Sequence, residues 1–174
     1  IWQGNFIDAA RHWTDRGVGY EPPLGDNILH LPAGASFALL DSQEAPWPTK
    51  SPKELGYLFK GYRLTPDQRP TFLYELNGIL VEDTPNPVEG KQHTFLRRTF
   101  RLTSAKGAEQ VYFRAAVAKQ IQALDGGAYR INGEWTMRLP GAAAQIRASG
   151  PNTELLVPIR FKDGKAEITQ EYEW

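Results

Sequence analysis

The chain contains no cysteine among its 174 residues, and this absence excludes several kinds of site at once. Without a thiol there can be no disulfide, zinc ribbon, iron–sulfur cluster, catalytic cysteine or covalently attached c-type haem. Histidine is scarce too, and His12, His30 and His93 show no spacing typical of a metal site. The sequence therefore predicts no metal ion and no cofactor.

An excess of charge of one sign is also lacking, because 20 basic side chains balance 20 acidic ones. Proteins that bind nucleic acid or anionic membrane surfaces usually carry a basic excess, so neither partner is expected. No apolar run approaches the roughly 18 residues that a spanning helix needs, and no membrane insertion is expected. The chain begins at Ile1 without a signal-peptide pattern, and we interpret residues 1–174 as one domain excised from a longer protein.

Glycine and proline, with 16 and 13 residues, punctuate the whole chain and leave little room for long helices. Between these breaks, apolar side chains recur at every second position, as they do in half-buried β-strands. The strands predicted from this period are 57–64, 70–76, 79–83, 93–103, 109–117, 128–132, 134–139, 143–148, 153–161 and 165–174. We also expect one or two strands within 27–40 and a proline-rich loop over 41–56.

Short turn sequences separate several of these strands. Asn77-Gly78, Asn132-Gly133 and Asp163-Gly164 are typical of tight β-hairpins. The last of them predicts a terminal hairpin between 153–161 and 165–174. Short strands joined by such turns favour an all-β fold, an antiparallel β-sandwich or a barrel-like variant of it. The first 56 residues fit this pattern less well, and an irregular N-terminal segment is expected to pack over the sheets.

The densest group of polar side chains lies near the N-terminus and consists of Asp8, Arg11, His12, Asp15 and Arg16. A histidine close to a carboxylate can act as a general base, and arginines can bind an anion. The same residues can equally form caps and salt bridges around one turn, which is the commoner role of mixed charges so close in sequence.

Two adjacent carboxylates, Glu82 and Asp83, lie within a predicted strand. Neighbouring residues of a strand point to opposite faces, so the two cannot flank one scissile bond without a β-bulge. A hydrolase or lyase acting on carbohydrate would have to combine His12 with Asp8, Glu82 or Asp83 as acid and base in one cleft. This enzymatic interpretation is the alternative, and no catalytic motif in the sequence favours it.

Arg97 and Arg98 are adjacent in a central predicted strand, so one of them must point toward the core. The alternation of apolar residues places Arg98 there. A buried guanidinium needs an ionic partner, which Glu75, Glu82 or Asp83 on neighbouring strands could supply. A buried ion pair and an arginine that lines a ligand cleft are both compatible with the sequence.

Aromatic side chains are plentiful, and their flat apolar faces can stack on sugar rings. Trp47, between two prolines in a predicted loop, is the best candidate for an exposed ring. The predicted ligand-binding residues are Trp13, Trp47, Arg11, Arg16 and Tyr62. Core packing is nevertheless the more frequent role of any single tryptophan.

The first 102 residues also carry a recognisable combination of short segments. These are WQGNFID, RHW, RG and PLGD within residues 2–26, and FKGYRL, RPTFLY, VED and LRRT within residues 59–99. Together they resemble a domain of unknown function found in large secreted planctomycete-type multidomain proteins, beside c-type cytochrome and sugar-dehydrogenase-like modules. The resemblance implies a periplasmic or extracellular location and a part in carbohydrate oxidation or electron transfer. Any haem would belong to a neighbouring module.

The leading interpretation is a non-catalytic accessory module that binds carbohydrate or docks a neighbouring domain of the same parent chain. Exposed rings at Trp13 and Trp47 would support carbohydrate binding. A surface that docks a redox domain would instead be a flat apolar patch rimmed by charges, without a deep pocket.

Overall fold

The computed structural model describes residues 28–90, 94–105 and 108–173. The chain divides into two compact units, residues 1–31 and 32–174. The described part of the first unit is limited to 28–31, which forms neither helix nor strand, so the predicted packing of an N-terminal segment lies outside the described residues. None of the described segments forms an apolar helix of membrane-spanning length.

The described part of the second unit is built from β-strands, as the period of two predicts. The strands are β1 (Phe37–Leu39), β2 (Tyr57–Leu64), β3 (Pro70–Leu76), β4 (Ile79–Glu89), β5 (Thr94–Ser104), β6 (Val111–Ala118), β7 (Ile121–Leu124), β8 (Ala128–Ile131), β9 (Trp135–Arg138), β10 (Gln145–Ser149), β11 (Asn152–Pro158) and β12 (Lys165–Glu173). A single 3₁₀ turn, Asp125–Gly127, connects β7 to β8, and the described residues contain no α-helix.

These strands form two open antiparallel sheets packed face to face, which confirms the predicted β-sandwich. The small sheet has the order β1-β6-β11-β10, and the large sheet has the order β2-β3-β4-β5-β12-β9-β8-β7. Neither sheet closes into a barrel. Because the small sheet has half as many strands, it covers only part of the inner face of the large one.

The core lies where the two sheets face each other. Phe37 of β1, Phe100 of β5 and Phe113 of β6 form a buried trio whose ring centroids are 4.9–5.4 Å apart. Full burial of one such ring contributes roughly 1.5–3 kcal/mol. This trio joins β1, an edge strand of only three residues, to the centre of the sandwich.

The outer face of the large sheet is charged. Arg97 and Arg101 of β5 point outward and bond Glu171 and Glu167, their register partners on β12, with Nε–Oε distances of 2.8 and 2.9 Å. The alternation along β12 thus presents its glutamates to one face and its apolar side chains to the other, as the sequence predicts.

Strand β2 departs from a simple period of two. A β-bulge shifts the register between Phe59 and Gly61, and Gly61 has a φ of +99°, a conformation that favours glycine. Phe59 consequently pairs with Tyr74, while Tyr62 pairs with Phe72. Phe59 and Tyr62 therefore share one face, so the simple alternation, which puts them on opposite faces, is wrong here.

The predicted terminal hairpin is also wrong. Lys162 and Lys165 do form a bridge around the Asp163-Gly164 turn, with N–H···O distances of 2.8 and 2.9 Å. Beyond that bridge the strands separate, because β11 pairs with β6 and β10 whereas β12 pairs with β5 and β9. The turn therefore passes the chain from one sheet to the other. The Asn77-Gly78 hairpin between β3 and β4 is confirmed.

Candidate functional site

A cavity of about 310 Å³ lies between the segment that enters β1 and the inner face of strands β2 to β5. Its described lining residues are Gly34, Ala35, Ser36, Phe37, Pro52, Tyr57, Phe59, Tyr74, Val81, Asp83, Arg98 and Phe100. Alternation along β3, β4 and β5 supplies one or two side chains from each strand to the same wall. The cavity is therefore a direct product of the sandwich geometry.

The position of the cavity follows from the unequal widths of the sheets. Strand β1 is an edge of the small sheet, so no further strand of that sheet within the described residues covers β2 and β3. Phe59 lines the cavity and is 62% exposed, while Tyr62 farther along β2 is 61% exposed. The mouth of the cavity therefore opens at β2.

A buried ion pair forms the polar part of the wall. Arg98 donates to Asp83 through both Nη2–Oδ2, at 2.5 Å, and Nε–Oδ1, at 3.3 Å. The side chains are only 14% and 7% exposed, and the guanidinium carbon lies 4.6 Å from the centre of the Phe100 ring. The inward orientation of Arg98 and its pairing with one of the three predicted carboxylates are confirmed, and the same pair also lines a cavity.

Behind this pair, a chain of hydrogen bonds runs through the sandwich. Arg98 Nη1 donates to the Tyr172 hydroxyl at 3.2 Å, and that hydroxyl donates to Gln170 Oε1 at 2.7 Å. Gln170 Nε2 then donates to the carbonyl of Ala115 on β6 at 2.9 Å and lies 3.1 Å from Met137 Sδ. Each member holds the next in place, so the Arg98 side chain has a fixed orientation.

Burial controls the ionisation of the groups around the cavity. It raises the pKa of Tyr57, although the Tyr57 hydroxyl both accepts from the Phe37 N–H and donates to the Phe37 carbonyl. Burial and the nearby Asp83 carboxylate raise the pKa of Tyr74. Burial lowers the pKa of Arg98, but Tyr172 and Asp83 raise it by more. At neutral pH the cavity therefore presents the protonated phenols of Tyr57 and Tyr74 beside the Arg98–Asp83 pair.

Four aromatic side chains extend from the cavity along the inner face of β2 and β3, and we call Phe59, Tyr62, Phe72 and Tyr74 the aromatic strip. The Phe59 and Tyr74 ring centroids are 5.4 Å apart, and those of Tyr62 and Phe72 are 6.4 Å apart. The bulge at Gly61 brings Tyr62 onto this face. The strip offers apolar ring surface directly beside the polar pair.

Several residues predicted for the site cannot be placed. Trp13, Arg11, Arg16, His12 and Asp8 lie outside the described residues. Their predicted roles stay predictions.

Glu82 and Asp83 point to opposite faces of β4, as expected. Glu82 Oε1 lies 2.5 Å from Nη1 of Arg63, on the outer face, whereas Asp83 faces the cavity. The register of β4 with both neighbours is regular at these residues, so no bulge brings the two carboxylates together.

The expectation that Trp47 is exposed is wrong. Its side chain is 7% exposed and packs in a buried cluster with Ala38, Leu40 and Leu156. The guanidinium carbon of Arg114 lies 4.7 Å from the centre of a Trp47 ring. The prolines on either side do place Trp47 in a loop, but this loop packs its tryptophan against the small sheet.

A second buried ionic cluster ties that loop to the small sheet. Glu154 is 1% exposed, and its Oε1 accepts a hydrogen bond from Arg147 Nε at 2.7 Å. The Oε2 atom of Glu154 lies 3.8 Å from Nη1 of Arg114. Arg147 Nη1 also donates to the carbonyls of Gln43 and Ala45, the latter at 2.7 Å. This cluster therefore fixes the start of the 41–56 loop. Four of its buried polar atoms, Trp47 Nε1, Arg114 Nε, Arg147 Nη2 and Glu154 Oε2, make no hydrogen bond with the described residues.

Among the residues that the structure describes, no group of three or more histidine, aspartate and glutamate side chains is arranged to hold a metal ion. His30 is exposed and lies in the unit 1–31. Comparison of the chain with protein-family models, with curated proteins and with solved structures finds no match. The resemblance to a domain of secreted multidomain proteins therefore stays a prediction.

Proposed function

We propose that this protein is a non-catalytic binding module whose ligand is a carbohydrate, held in the cavity between the Arg98–Asp83 pair and the aromatic strip. The observation that carries the proposal is the juxtaposition of a fixed, buried ionic pair with exposed aromatic surface in the lining of one cavity. A sugar ring has an apolar face of C–H groups and an edge of hydroxyls, and this site offers a partner to each.

The size and composition of the cavity support this assignment. Ligand pockets are typically about 300–1,000 Å³ and mostly apolar, with a few placed polar groups. At about 310 Å³, this cavity suits a ligand of one or two rings. The aromatic strip continues beyond the mouth and would extend the site for a longer chain.

The polar groups of the cavity favour binding over catalysis. Hydrolysis of a glycosidic bond usually needs two carboxylates on opposite sides of it. Asp83 is the one carboxylate among the described lining residues, and both its oxygens are engaged by Arg98. The enzymatic alternative is a hydrolase or lyase that uses His12 with Asp8, Glu82 or Asp83. At this cavity it would require His12 to approach Asp83, because Glu82 lies on the outer face.

A second candidate function is docking of a neighbouring domain of the parent chain, and the outermost strand of the large sheet favours it. Leu58, Phe59, Tyr62 and Leu64 of β2 are all more than half exposed. For either function, we propose that the protein is an accessory module located in the periplasm or outside the cell.

Calorimetric titration of the protein with a panel of oligosaccharides tests the carbohydrate proposal. We expect saturable binding that Phe59→Ala weakens at least tenfold, because Phe59 is the exposed ring at the mouth. Leu58→Ala is the matched control, since Leu58 is exposed on the same strand but pairs with Glu75 on the outer face. An equal loss in both variants, or no binding by the wild type, would refute the proposal, and release of shortened products would favour the enzymatic alternative.

A further inference from the structure

We infer that the cavity selects uncharged sugars and discriminates against uronic acids, because Asp83 already occupies the place on Arg98 that a ligand carboxylate would take. This inference rests on the proposed function, since it assumes that a carbohydrate binds in the cavity. It names the class of sugar, which the aromatic strip alone does not determine.

The charges of the cavity cancel within the wall itself. Asp83 and Arg98 are the charged groups among its described lining residues, and they face each other through two hydrogen bonds. An arginine in a pocket is often a receptor for a ligand carboxylate, which it binds with two parallel N–H groups. Here the N–H groups of that fork already bond Asp83, and a further N–H bonds Tyr172.

An incoming carboxylate would meet two penalties. It would lie next to the Asp83 carboxylate, where like charges repel strongly because the site is shielded from water. To accept the two parallel hydrogen bonds of the Nε/Nη2 edge of Arg98, it would also have to displace Asp83, leaving that side chain at 7% exposure without its ionic partner. No third charged group among the described lining residues compensates for either penalty.

Hydroxyl groups meet neither penalty. Each carboxylate oxygen can accept two hydrogen bonds, and Arg98 uses one on each Asp83 oxygen. Two neighbouring hydroxyls of a sugar can therefore donate to the remaining positions, in hydrogen bonds strengthened by the charge of the acceptor. The raised pKa of Tyr74 keeps its phenol protonated beside them. The ligand class that fits is a neutral pyranose with vicinal hydroxyls.

The test compares sugars that differ only in the oxidation state of C6, such as methyl glucoside with methyl glucuronide and methyl galactoside with methyl galacturonide. Titration calorimetry of the wild-type protein near pH 7 should show that, in every pair for which binding is detected, the neutral glycoside binds at least tenfold more tightly than the uronide. Equal or tighter binding of the uronide would overturn this inference and leave the proposed function standing. If no member of any pair or of the oligosaccharide panel binds, both proposals fail.

Asp83→Asn tests the physical cause. The substitution keeps the shape of the side chain but removes its charge, so Arg98 becomes available to a ligand carboxylate and the preference should shift toward the uronide by at least tenfold. Glu75→Gln removes the same charge from the outer face of the neighbouring strand, where Glu75 pairs with Lys60, and should keep the wild-type preference. A folded Asp83→Asn variant that keeps the wild-type preference for the neutral glycoside would contradict the inference. If that variant does not fold, the comparison of neutral and acidic sugars with the wild-type protein decides the question.

Discussion

Replacing Arg98 by methionine should destabilise the fold far more than the same change at Arg101 on the same strand. Arg98→Met removes the guanidinium but keeps most of the apolar stem. Asp83, at 7% exposure, would then be a buried carboxylate without its ionic partner. Arg101 pairs with Glu167, but these side chains are 58% and 54% exposed, so water solvates each of them without the other.

The expected magnitudes follow from this difference in burial. Breaking a buried ion pair by removing one member costs about 3–5 kcal/mol, and the cation–π contact of Arg98 with Phe100 adds roughly 0.5–2 kcal/mol. We expect Arg98→Met to lower the free energy of unfolding by about 4 kcal/mol or more. An exposed pair contributes about 0–1 kcal/mol, so Arg101→Met should change it by no more than that.

Urea unfolding followed by circular dichroism measures both variants under identical conditions. The double variant Asp83→Asn/Arg98→Met supplies the decisive comparison, because it removes the orphaned charge along with its partner. It should be less destabilised than the sum of the two single variants, with a coupling of about 2–4 kcal/mol. A double variant whose loss equals that sum, or an Arg98→Met variant as stable as Arg101→Met, would refute the assignment of a stabilising buried pair.

Three further predictions concern other parts of the fold. Gly164→Ala should lower the free energy of unfolding by about 2 kcal/mol more than Gly133→Ala, as measured by urea unfolding. The two glycines have similar φ values, +72° and +75°, but a Cβ at Gly164 would lie 2.5 Å from the Ser104 carbonyl oxygen, whereas one at Gly133 would meet nothing within 4 Å. Glu154→Gln should lower the free energy of unfolding by about 3 kcal/mol, since two arginines then lose their shared carboxylate. Because burial raises the pKa of Tyr57, the folded protein keeps the phenol proton at a pH where the unfolded chain loses it. The contribution of Tyr57 to the free energy of unfolding is therefore complete below about pH 10 and falls as the pH rises further, by up to about 1.4 kcal/mol per pH unit. Tyr57→Phe should flatten that alkaline slope, and an unchanged slope would contradict the assignment.

Local pattern was sufficient for the strands that depend on alternation and a tight turn. The predicted spans 57–64 and 70–76 coincide with β2 and β3, and Asn77-Gly78 makes the hairpin it predicts. Strand β4 is longer than the predicted 79–83 because it continues through Pro85 and Pro87. Strand β4 pairs with β5 along its whole length, but its pairing with β3 ends at Asp83. Pro85 and Pro87 therefore lie where the side of the strand that faced β3 no longer needs an N–H donor.

Long-range pairing could not be inferred in the same way. The Asp163-Gly164 turn has a hairpin sequence, yet its flanking strands find longer partners in different sheets. The bulge at Gly61 inverts the faces of the residues after it, and only the pairing with β3 reveals it. Strand β7 (Ile121–Leu124) was not predicted, because four residues with one buried side chain carry little periodic signal.

The candidate site was predictable in its ionic part and, within the aromatic strip, at Tyr62. A charged residue at an inward position, Arg98, has a strong physical reason to find a partner, and Asp83 was among the partners considered. Gln170 follows the same rule, since it falls between Ile168 and Tyr172 on the inward face of β12, and that position was the available signal. Trp47 was misjudged because exposure of a loop side chain depends on what lies beneath it, here Leu40 and Leu156.

Among the described residues, β2 is an outermost strand of the large sheet, and its outer edge bears on association between copies of the protein. An outermost strand with exposed apolar side chains can recruit the edge of another molecule and start aggregation. In β2 the bulge at Gly61 interrupts the row of N–H and C=O groups that such a neighbour needs. The charged side chains of Lys60 and Arg63 lie on either side of it, as charged residues often do on edge strands. The irregularity that brings Tyr62 onto the cavity face therefore also disfavours the pairing of β2 with a second copy of the chain.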